Sequence, residues 1–249
     1  MNPWPYPLWI AHRGAGKLAP ENTLAAFRVG ASHGYRAFEC DVKLSADGVP
    51  FLLHDATLQR TTPAHGVAGE RDWNELARLD AGSWHSPAHA GEPIPSLETI
   101  AHYCLHNGFA LNIEIKPTPG SEQETGYAVA REAARLWASE ALKPLLSSFR
   151  PDALAAAKAA DASLPRALLL DSLREGWLDD ARALACVAIV ANHAALDAAV
   201  IAQVHAAGMR ALSYTVNDDA TARRLAAAGI DGLITDVVDH FAPDTLIHS

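Results

Sequence analysis

Residues 37–42 read Ala-Phe-Glu-Cys-Asp-Val, and residues 111–116 read Leu-Asn-Ile-Glu-Ile-Lys. In both stretches apolar and polar side chains alternate with a period of two, which is the pattern of a β-strand. One face of the first strand carries the carboxylates Glu39 and Asp41, and the polar face of the second carries Glu114. We therefore expect two strands that pack their apolar faces against helices and direct their charged groups the same way.

Short apolar runs recur along the chain and alternate with Ala-rich stretches that have helical spacing. Eight runs are predicted to be strands: residues 8–12, 37–42, 110–115, 144–149, 166–170, 187–191, 210–216 and 232–235. The helices predicted between them include residues 22–32, 126–141, 152–160, 196–207 and 220–228. Eight strand–helix units in 249 residues predict an α/β fold, a closed TIM (β/α)8 barrel. A doubly wound open sheet is the alternative, but no G-x-G-x-x-G motif follows the first strand.

One region, residues 43–107, breaks this rhythm. Residues 45–48 predict a turn of a hairpin, and the chain returns through residues 49–54. Counting this returning arm as a barrel strand would give nine strands and no crossover helix. We therefore interpret residues 43–107 as an insertion after the second strand, with a helix at about residues 97–107. Because no linker or shift in composition marks a boundary, residues 1–249 are predicted to form a single barrel domain.

The composition excludes several classes of protein. Hydrophobic residues make up 49% of the chain, which argues against disorder. The chain has 20 Lys+Arg and 29 Asp+Glu, a formal net charge of -9, and no run of basic residues. Binding to nucleic acid or to an anionic membrane needs clustered positive charge, so we expect neither nucleic-acid partners nor stable membrane insertion.

Cysteine usage and the amino-terminal residues indicate the compartment. The three cysteines are far apart and form no C-x-x-C motif, so neither a disulfide framework nor a cysteine-based zinc site is expected. Residues 1–7 contain three prolines and no positive charge, unlike a secretory signal. No apolar stretch approaches the roughly 20 residues of a membrane span. We expect a cytoplasmic protein, and the oligomeric state stays open.

The carboxylates of the two opening strands predict a cation site. In a barrel Glu39, Asp41 and Glu114 would meet at the mouth, where an unpaired carboxylate costs several kcal/mol of desolvation. Since no Cys or H-x-H motif lies nearby, these oxygen ligands suit one divalent cation, Mg²⁺ or Ca²⁺, rather than zinc. The alternative is a structural ion-pair cluster formed with three cations, Arg13, Lys43 and Lys116.

Two histidines, His12 and His54, each end an apolar run of the sequence. In α/β barrels the carboxyl ends of strands carry the catalytic groups, and histidine titrates near neutral pH. Beside a carboxylate cluster they indicate a general acid and a general base, although a lone histidine in such a place is more often structural. Arg13 follows His12, and its guanidinium fork suits a phosphate, unless it forms a salt bridge with Glu39.

A series of short motifs resembles the glycerophosphodiester phosphodiesterases. In order they are His12-Arg13-Gly14, Pro20-Glu21-Asn22-Thr23, Glu39-x-Asp41, Asp47-Gly48, His54-Asp55-x-x-Leu58-x-Arg60-Thr61-Thr62, Glu114-Ile115-Lys116, Ser147-Ser148-Phe149, Tyr214-Thr215-Val216-Asn217 and Asp231-Gly232-x-x-Thr235-Asp236. Each motif alone is weak, but their order and spacing over residues 9–240 are specific. The resemblance is greatest to the cytoplasmic bacterial type.

The resemblance implies a TIM barrel of the phospholipase-C-like phosphodiesterase type with an insertion after strand 2. It also implies metal-dependent hydrolysis of a small glycerophosphodiester to glycerol 3-phosphate and an alcohol. Carried over by motif, the metal ligands are Glu39, Asp41 and Glu114, the acid–base residues are His12 and His54, and the phosphate contacts are Arg13 and Lys116. Tyr214, a substrate-binding candidate, stands where many members of the family have Trp.

Two other functions are compatible with the sequence. A phospholipase of the same barrel type would act on intact lipid and would need a membrane-docking element, for which Trp73 and Trp84 of the insertion are candidates. The net charge of -9 favours a soluble, deacylated substrate instead. A non-catalytic, metal-dependent binder of phosphorylated ligands would not need two histidines at its site. Which histidine is the acid, which ion binds and which head group is preferred stay open.

Overall fold

Strands and helices alternate along the computed structural model, which describes residues 4–243. The strands are β1 Trp9–Ala11, β2 Ala37–Leu44, β3 Pro50–Leu52, β4 Ala110–Ile115, β5 Leu145–Ser148, β6 Arg166–Leu170, β7 Ala188–Asn192, β8 Arg210–Tyr214 and β9 Gly232–Thr235. The α-helices are α1 Leu24–Ser32, α2 Trp73–Leu76, α3 Leu97–Asn107, α4 Glu122–Leu136, α5 Pro151–Ala160, α6 Trp177–Ala183, α7 Ala198–Ala206 and α8 Asp219–Ala227.

All strands except β3 form one closed ring of parallel pairs. β1 closes it by pairing with β9 on one side, where Trp9 faces Leu233, and with β2 on the other, where Ala11 faces Phe38. Between these ends the order runs β9, β8, β7, β6, β5, β4, β2. The predicted eight-stranded (β/α)8 barrel is confirmed.

The core has two layers, and the alternation of each strand divides its residues between them. Phe38 and Cys40 of β2 point outward and pack in the layer between the strands and the helices. Ala37 points inward and joins the apolar filling of the barrel with Leu169 and Leu212. Because side chains alternate, Glu39, two residues after Ala37, points inward as well.

Several helices begin at residues whose side chains satisfy free backbone N–H groups, as helix starts require. The oxygen atoms of Thr23, Ser96, Asp197 and Asp218 accept hydrogen bonds from the first turns of α1, α3, α7 and α8. Helix α6 has only seven residues and no such cap, and it follows Gly176 with φ 76°. A helix of this length is too short to show a helical period in the sequence.

The segment between β2 and α3, residues 45–96, does not follow the strand–helix alternation of the barrel. β3 runs antiparallel to β2 in a hairpin, with Leu52 opposite Val42. The segment has a small apolar core of its own, formed by Phe51, Leu53, Leu58, Ala68, Leu76, Ala81 and Ile94. Lys43 and Leu44 belong to β2, and α3 contributes to the outer core layer, so α3 is the helix that crosses from β2 to β4.

The amino-terminal end of the barrel is covered by Trp4 and Tyr6. Both rings pack against the inner core layer, close to Ala37 and Ala110, the first residues of β2 and β4. The hydroxyl of Tyr6 donates a hydrogen bond of 2.9 Å to the carbonyl oxygen of Lys143. Within residues 4–243 none of the helices has the length and apolar character that crossing a bilayer requires.

Candidate active site

The three carboxylates of β2 and β4 converge at the carboxyl end of the barrel. Asp41 and Glu114 are direct partners in the β2–β4 ladder. One oxygen of each of Glu39, Asp41 and Glu114 lies within 4.8 Å of the others, and all three side chains are buried. Adjacent parallel strands in register produce this cluster from the two alternating sequences.

Cations neutralise this acidic cluster unevenly. Arg13 Nε lies 3.2 Å from Asp41 Oδ2, and Lys116 Nζ lies 3.5 Å from Asp41 Oδ1 and 2.8 Å from Glu114 Oε1. Burial alone would raise the pKa of Asp41, but Arg13 and Lys116, together with His54 and a hydrogen bond from Asn22, outweigh burial and lower the pKa. Burial, reinforced by the negative charge of Asp41, instead raises the pKa of Glu39 to about 7 and that of Glu114 to about 8. The ion pairs therefore stabilise Asp41 far better than its two neighbours.

One buried oxygen of the cluster, Oε1 of Glu39, has no protein partner and is therefore available to a cation. Glu39 Oε2 accepts a hydrogen bond of 3.0 Å from the backbone N–H of Arg13, whereas the buried Oε1 accepts none. Lys43 contributes little, because its Nζ donates to the carbonyl oxygen of Lys116 at 3.0 Å and burial lowers its pKa to about 8. Three buried carboxylates with one orphaned oxygen fit a hard, oxygen-binding cation.

Asn22 fixes the carboxylate of Asp41. Its Nδ2 donates to Asp41 Oδ2 at 2.8 Å, and its Oδ1 accepts from the backbone N–H of Asp41 at 3.0 Å. Asn22 has φ 58°, a left-handed conformation that asparagine tolerates better than most residues. Asn22 belongs to the motif of residues 20–23, but its pairing with Asp41 depends on the path of the loop, which no pattern in the sequence indicates.

His12 lies at the end of β1 and forms a dyad with Asp236, which follows β9. Its Nδ1 is 2.6 Å from Asp236 Oδ1, and its Nε2 is 3.8 Å from Glu39 Oε2. Asn217 donates to Asp236 Oδ2 at 3.1 Å. Burial lowers the pKa of His12, but Asp236 and Glu39 together outweigh burial, so this pKa lies above its usual value. The carboxylate holds Nδ1 and leaves Nε2 to face the cluster.

His54 reaches the same site from the loop that follows β3. Its Nδ1 is 2.7 Å from Oδ1 of its neighbour Asp55. Burial is the largest influence on His54 and lowers its pKa below the usual value. The two histidines therefore share one design, in which a carboxylate holds Nδ1, but they differ in the direction of the pKa shift.

A cavity of about 340 Å³ opens over these groups. His12, Arg13, Glu39, His54, Glu114, Lys116 and Tyr214 all line it, and Asp41 lies buried beneath. Tyr214 packs edge-on against Phe149 at 5.8 Å and donates to the carbonyl oxygen of Leu170 at 3.2 Å. Trp73 packs near Phe51 instead, and neither Trp73 nor Trp84 lines the cavity.

A (β/α)8 barrel with acidic and basic side chains gathered at the carboxyl ends of its strands is the arrangement of a barrel enzyme. Comparison with known proteins gives the family. The model of the glycerophosphoryl diester phosphodiesterase family matches residues 12–240. The chain therefore belongs to this family, and the predicted enzyme class, a glycerophosphodiester phosphodiesterase, is confirmed.

Two relatives and a solved structure are similar to this chain over nearly its full length. YhdW of Bacillus subtilis is 32% identical over 242 residues, which cover 94% of this chain and 96% of the relative. The glycerophosphodiester phosphodiesterase of Caldanaerobacter subterraneus is 31% identical over 246 residues, covering 97% and 96%. A phosphodiesterase of Oleispira antarctica, solved in complex with the product sn-glycerol-3-phosphate, is 33% identical with a TM-score of 0.88, covering 94% and 95%.

Proposed function

We propose that this protein hydrolyses small glycerophosphodiesters to glycerol 3-phosphate and an alcohol by acid–base catalysis with His12 and His54. The observation that carries the proposal is that both histidines line one cavity with the acidic cluster and with Arg13 and Lys116. The Oleispira relative was solved with sn-glycerol-3-phosphate as its product, which supports the same product here. The cytoplasmic location expected from the sequence accords with a soluble substrate.

The cationic side chains bind the phosphodiester. The Arg13 guanidinium and the Lys116 ammonium are both about three-quarters or more buried from solvent, so their attraction for phosphoryl oxygens is little screened. Charge that develops on these oxygens in the transition state meets donors already in place. Tyr214 and Phe149 form the wall that faces the organic part of the substrate.

The histidines move the protons. One removes a proton from the attacking hydroxyl, which belongs to water or to the 2-hydroxyl of the glycerol. As that oxygen bonds to phosphorus and the bond to the alcohol breaks, the other histidine protonates the departing oxygen. After attack by the glycerol hydroxyl, water opens the cyclic phosphate with the two roles exchanged. Asp236 and Asp55 each hold an Nδ1, so Nε2 is the atom that exchanges protons.

Glu39, Asp41 and Glu114 would hold one divalent cation, Mg²⁺ or Ca²⁺. Such an ion, when bound, supplies Lewis-acid polarisation of the phosphoryl oxygens. Its positive charge would also offset the burial and the repulsion from Asp41 that raise the pKa of Glu39 and of Glu114, and so would favour their ionised forms. An acidic protein can thereby bind an anionic substrate.

The test is release of glycerol 3-phosphate from glycerophosphocholine, glycerophosphoethanolamine and glycerophosphoglycerol. The assay is run with chelator and then with Mg²⁺, Ca²⁺ or Mn²⁺ added back. We expect activity that chelator abolishes, and a loss of at least about 10²-fold in His12→Ala and in His54→Ala. His240→Ala is the matched control, because His240 also contacts a carboxylate but lies on the surface. No release with any ion would overturn the proposal, and faster cleavage of intact phospholipid vesicles would favour the phospholipase function.

A further inference from the structure

Arg60 has no part in the proposed mechanism, yet its guanidinium contacts Asp55 and Glu21, two carboxylates that lie beside residues of the site. It belongs to the segment of residues 45–96 and follows Asp55 by five positions. Its Nε donates to Asp55 Oδ2 at 2.7 Å, and its Nη2 donates to Asp55 Oδ1 at 3.0 Å. Its Nη1 donates to Glu21 Oε2 at 2.8 Å, and Nη2 also donates to Glu21 Oε1 at 2.7 Å. One guanidinium thus forms forked contacts with two carboxylates.

Each of these carboxylates contacts a group of the active site. Asp55 Oδ1 is 2.7 Å from His54 Nδ1, and Glu21 Oε1 accepts a hydrogen bond of 2.9 Å from Arg13 Nη1. The contacts therefore form a continuous chain from the acid–base histidine, through Arg60, to the guanidinium that faces the phosphate. Glu21 belongs to the loop between β1 and α1, whereas Asp55 belongs to the segment after β3, so Arg60 connects two separate parts of the chain.

We propose that Arg60 is a positioning residue, which sets the orientation of His54 through Asp55 and of Arg13 through Glu21. This inference rests on the proposed function, because it concerns how that site is held in order. A lone exposed ion pair contributes little to stability, and the Arg60 side chain is 43% exposed. Its forked geometry distinguishes it from such a pair, because a planar guanidinium held on two carboxylates fixes their angle as well as their distance.

The expected effect of removing Arg60 follows from its two contacts, one with Asp55 and the other with Glu21. Without Arg60, Asp55 and Glu21 keep their negative charges but lose the group that holds them at a fixed separation. Misorientation of His54 slows proton transfer and lowers kcat. Misorientation of Arg13 weakens its contact with the phosphoryl oxygens both in the bound substrate and in the transition state, so it raises KM as well as lowering kcat. A displacement of about 1 Å at a reacting group costs on the order of 10²-fold, so we expect Arg60→Ala to lower kcat/KM by about 10- to 100-fold.

The test compares Arg60→Ala with Arg71→Ala in glycerophosphodiester hydrolysis. Arg71 lies in the same segment and forms an exposed ion pair with Glu75, so it controls for loss of a surface arginine. We expect Arg71→Ala to stay within about twofold of the wild-type rate, as surface substitutions usually do. Arg60→Lys should recover part of the activity, because the ammonium keeps the positive charge but lacks the planar fork that holds the two carboxylates at a fixed angle. Circular dichroism and the Tm verify that each variant is folded. If Arg60→Ala does not fold, the comparison is made with Arg60→Lys instead.

A double-mutant cycle separates positioning from a general structural role. If Arg60 acts on His54 through Asp55 and on Arg13 through Glu21, the kcat effect of Arg60→Ala should shrink in an Asp55→Asn background, and the KM effect should disappear in Glu21→Gln. An active wild type with Arg60→Ala equal to Arg71→Ala would overturn the inference, and so would additive effects in both cycles. An inactive wild type would instead refute the proposed function, so the two failures are distinguishable.

Discussion

His12 depends on a residue that lies 224 positions away in the sequence, Asp236. An aspartate that accepts from Nδ1 selects the tautomer and stabilises the imidazolium that forms when Nε2 takes a proton. We expect Asp236→Asn to lower kcat by about 10²-fold or more while leaving the Tm close to that of the wild type. The matched control is Asp219→Asn, since Asp219 contacts the exposed His240 at 2.9 Å. Equal kcat values for the two variants would show that His12 does not need its partner.

Glu39 shows the conflict between stability and function at a single side chain. Its orphaned Oε1 and raised pKa mark a carboxylate that is costly to bury without a cation. In chelator we expect Glu39→Gln to unfold at or above the wild-type Tm, because the substitution removes one of three crowded charges.

Addition of Mg²⁺ or Ca²⁺ should then raise the Tm of the wild type but not that of Glu39→Gln. An ion present at 100 times its Kd stabilises the folded state by about 2.7 kcal/mol, which thermal unfolding readily detects. The surface variant Glu75→Gln should respond as the wild type does. If Glu39→Gln gained as much Tm from the ion as the wild type, Glu39 would not be a ligand.

The segment of residues 45–96 acts as an element that carries His54 and Arg60. Its small core includes Leu53, adjacent to His54, and the fully buried Leu76 of α2. Leu76→Ala should lower the free energy of unfolding by about 2–5 kcal/mol, and the loss of packing should be confined largely to this segment. We expect kcat to fall by about 10-fold or more, because His54 loses its fixed position.

Leu225→Ala is the matched control, because Leu225 is equally buried but lies on α8, in the outer core layer. It should lower the Tm while preserving kcat at 25 °C. Hydrogen exchange would locate the loosened region, which should be residues 45–96 in Leu76→Ala. Equal losses of kcat in the two variants would contradict a special role for the segment.

The sequence predicts the strands better than the connections between elements. Glu39, Asp41 and Glu114 were predicted to share a face because alternation is a local property of each strand, and the strand register brings them within 4.8 Å. The contacts of Asn22, Arg60 and Asp236 were not predicted. These side chains meet their partners through loops, whose paths depend on the tertiary fold rather than on a period in the sequence.

The two ends of the barrel carry different tasks. Histidines and carboxylates gather at the carboxyl ends of the strands, whereas Trp4 and Tyr6 cover the amino-terminal ends with apolar surface. This division is usual in α/β barrels, where one end supports chemistry and the other stability. Substitutions at opposite ends should therefore separate activity from stability.

Trp4→Ala tests this separation at the end that is distant from the chemistry. Trp4 packs on Tyr6 with ring centroids 4.7 Å apart and contacts the inner core layer, so its removal exposes the apolar filling of the barrel. Loss of a large aromatic side chain costs about 3 kcal/mol, which corresponds to a fall of about 6–12 °C in Tm for a chain of this size. At 25 °C kcat and KM should remain those of the wild type, because no residue of the cavity moves. His54→Ala should show the reverse, with lost activity and an unchanged Tm. A fall in kcat in folded Trp4→Ala would mean instead that packing at the amino-terminal end is transmitted through the strands to the site.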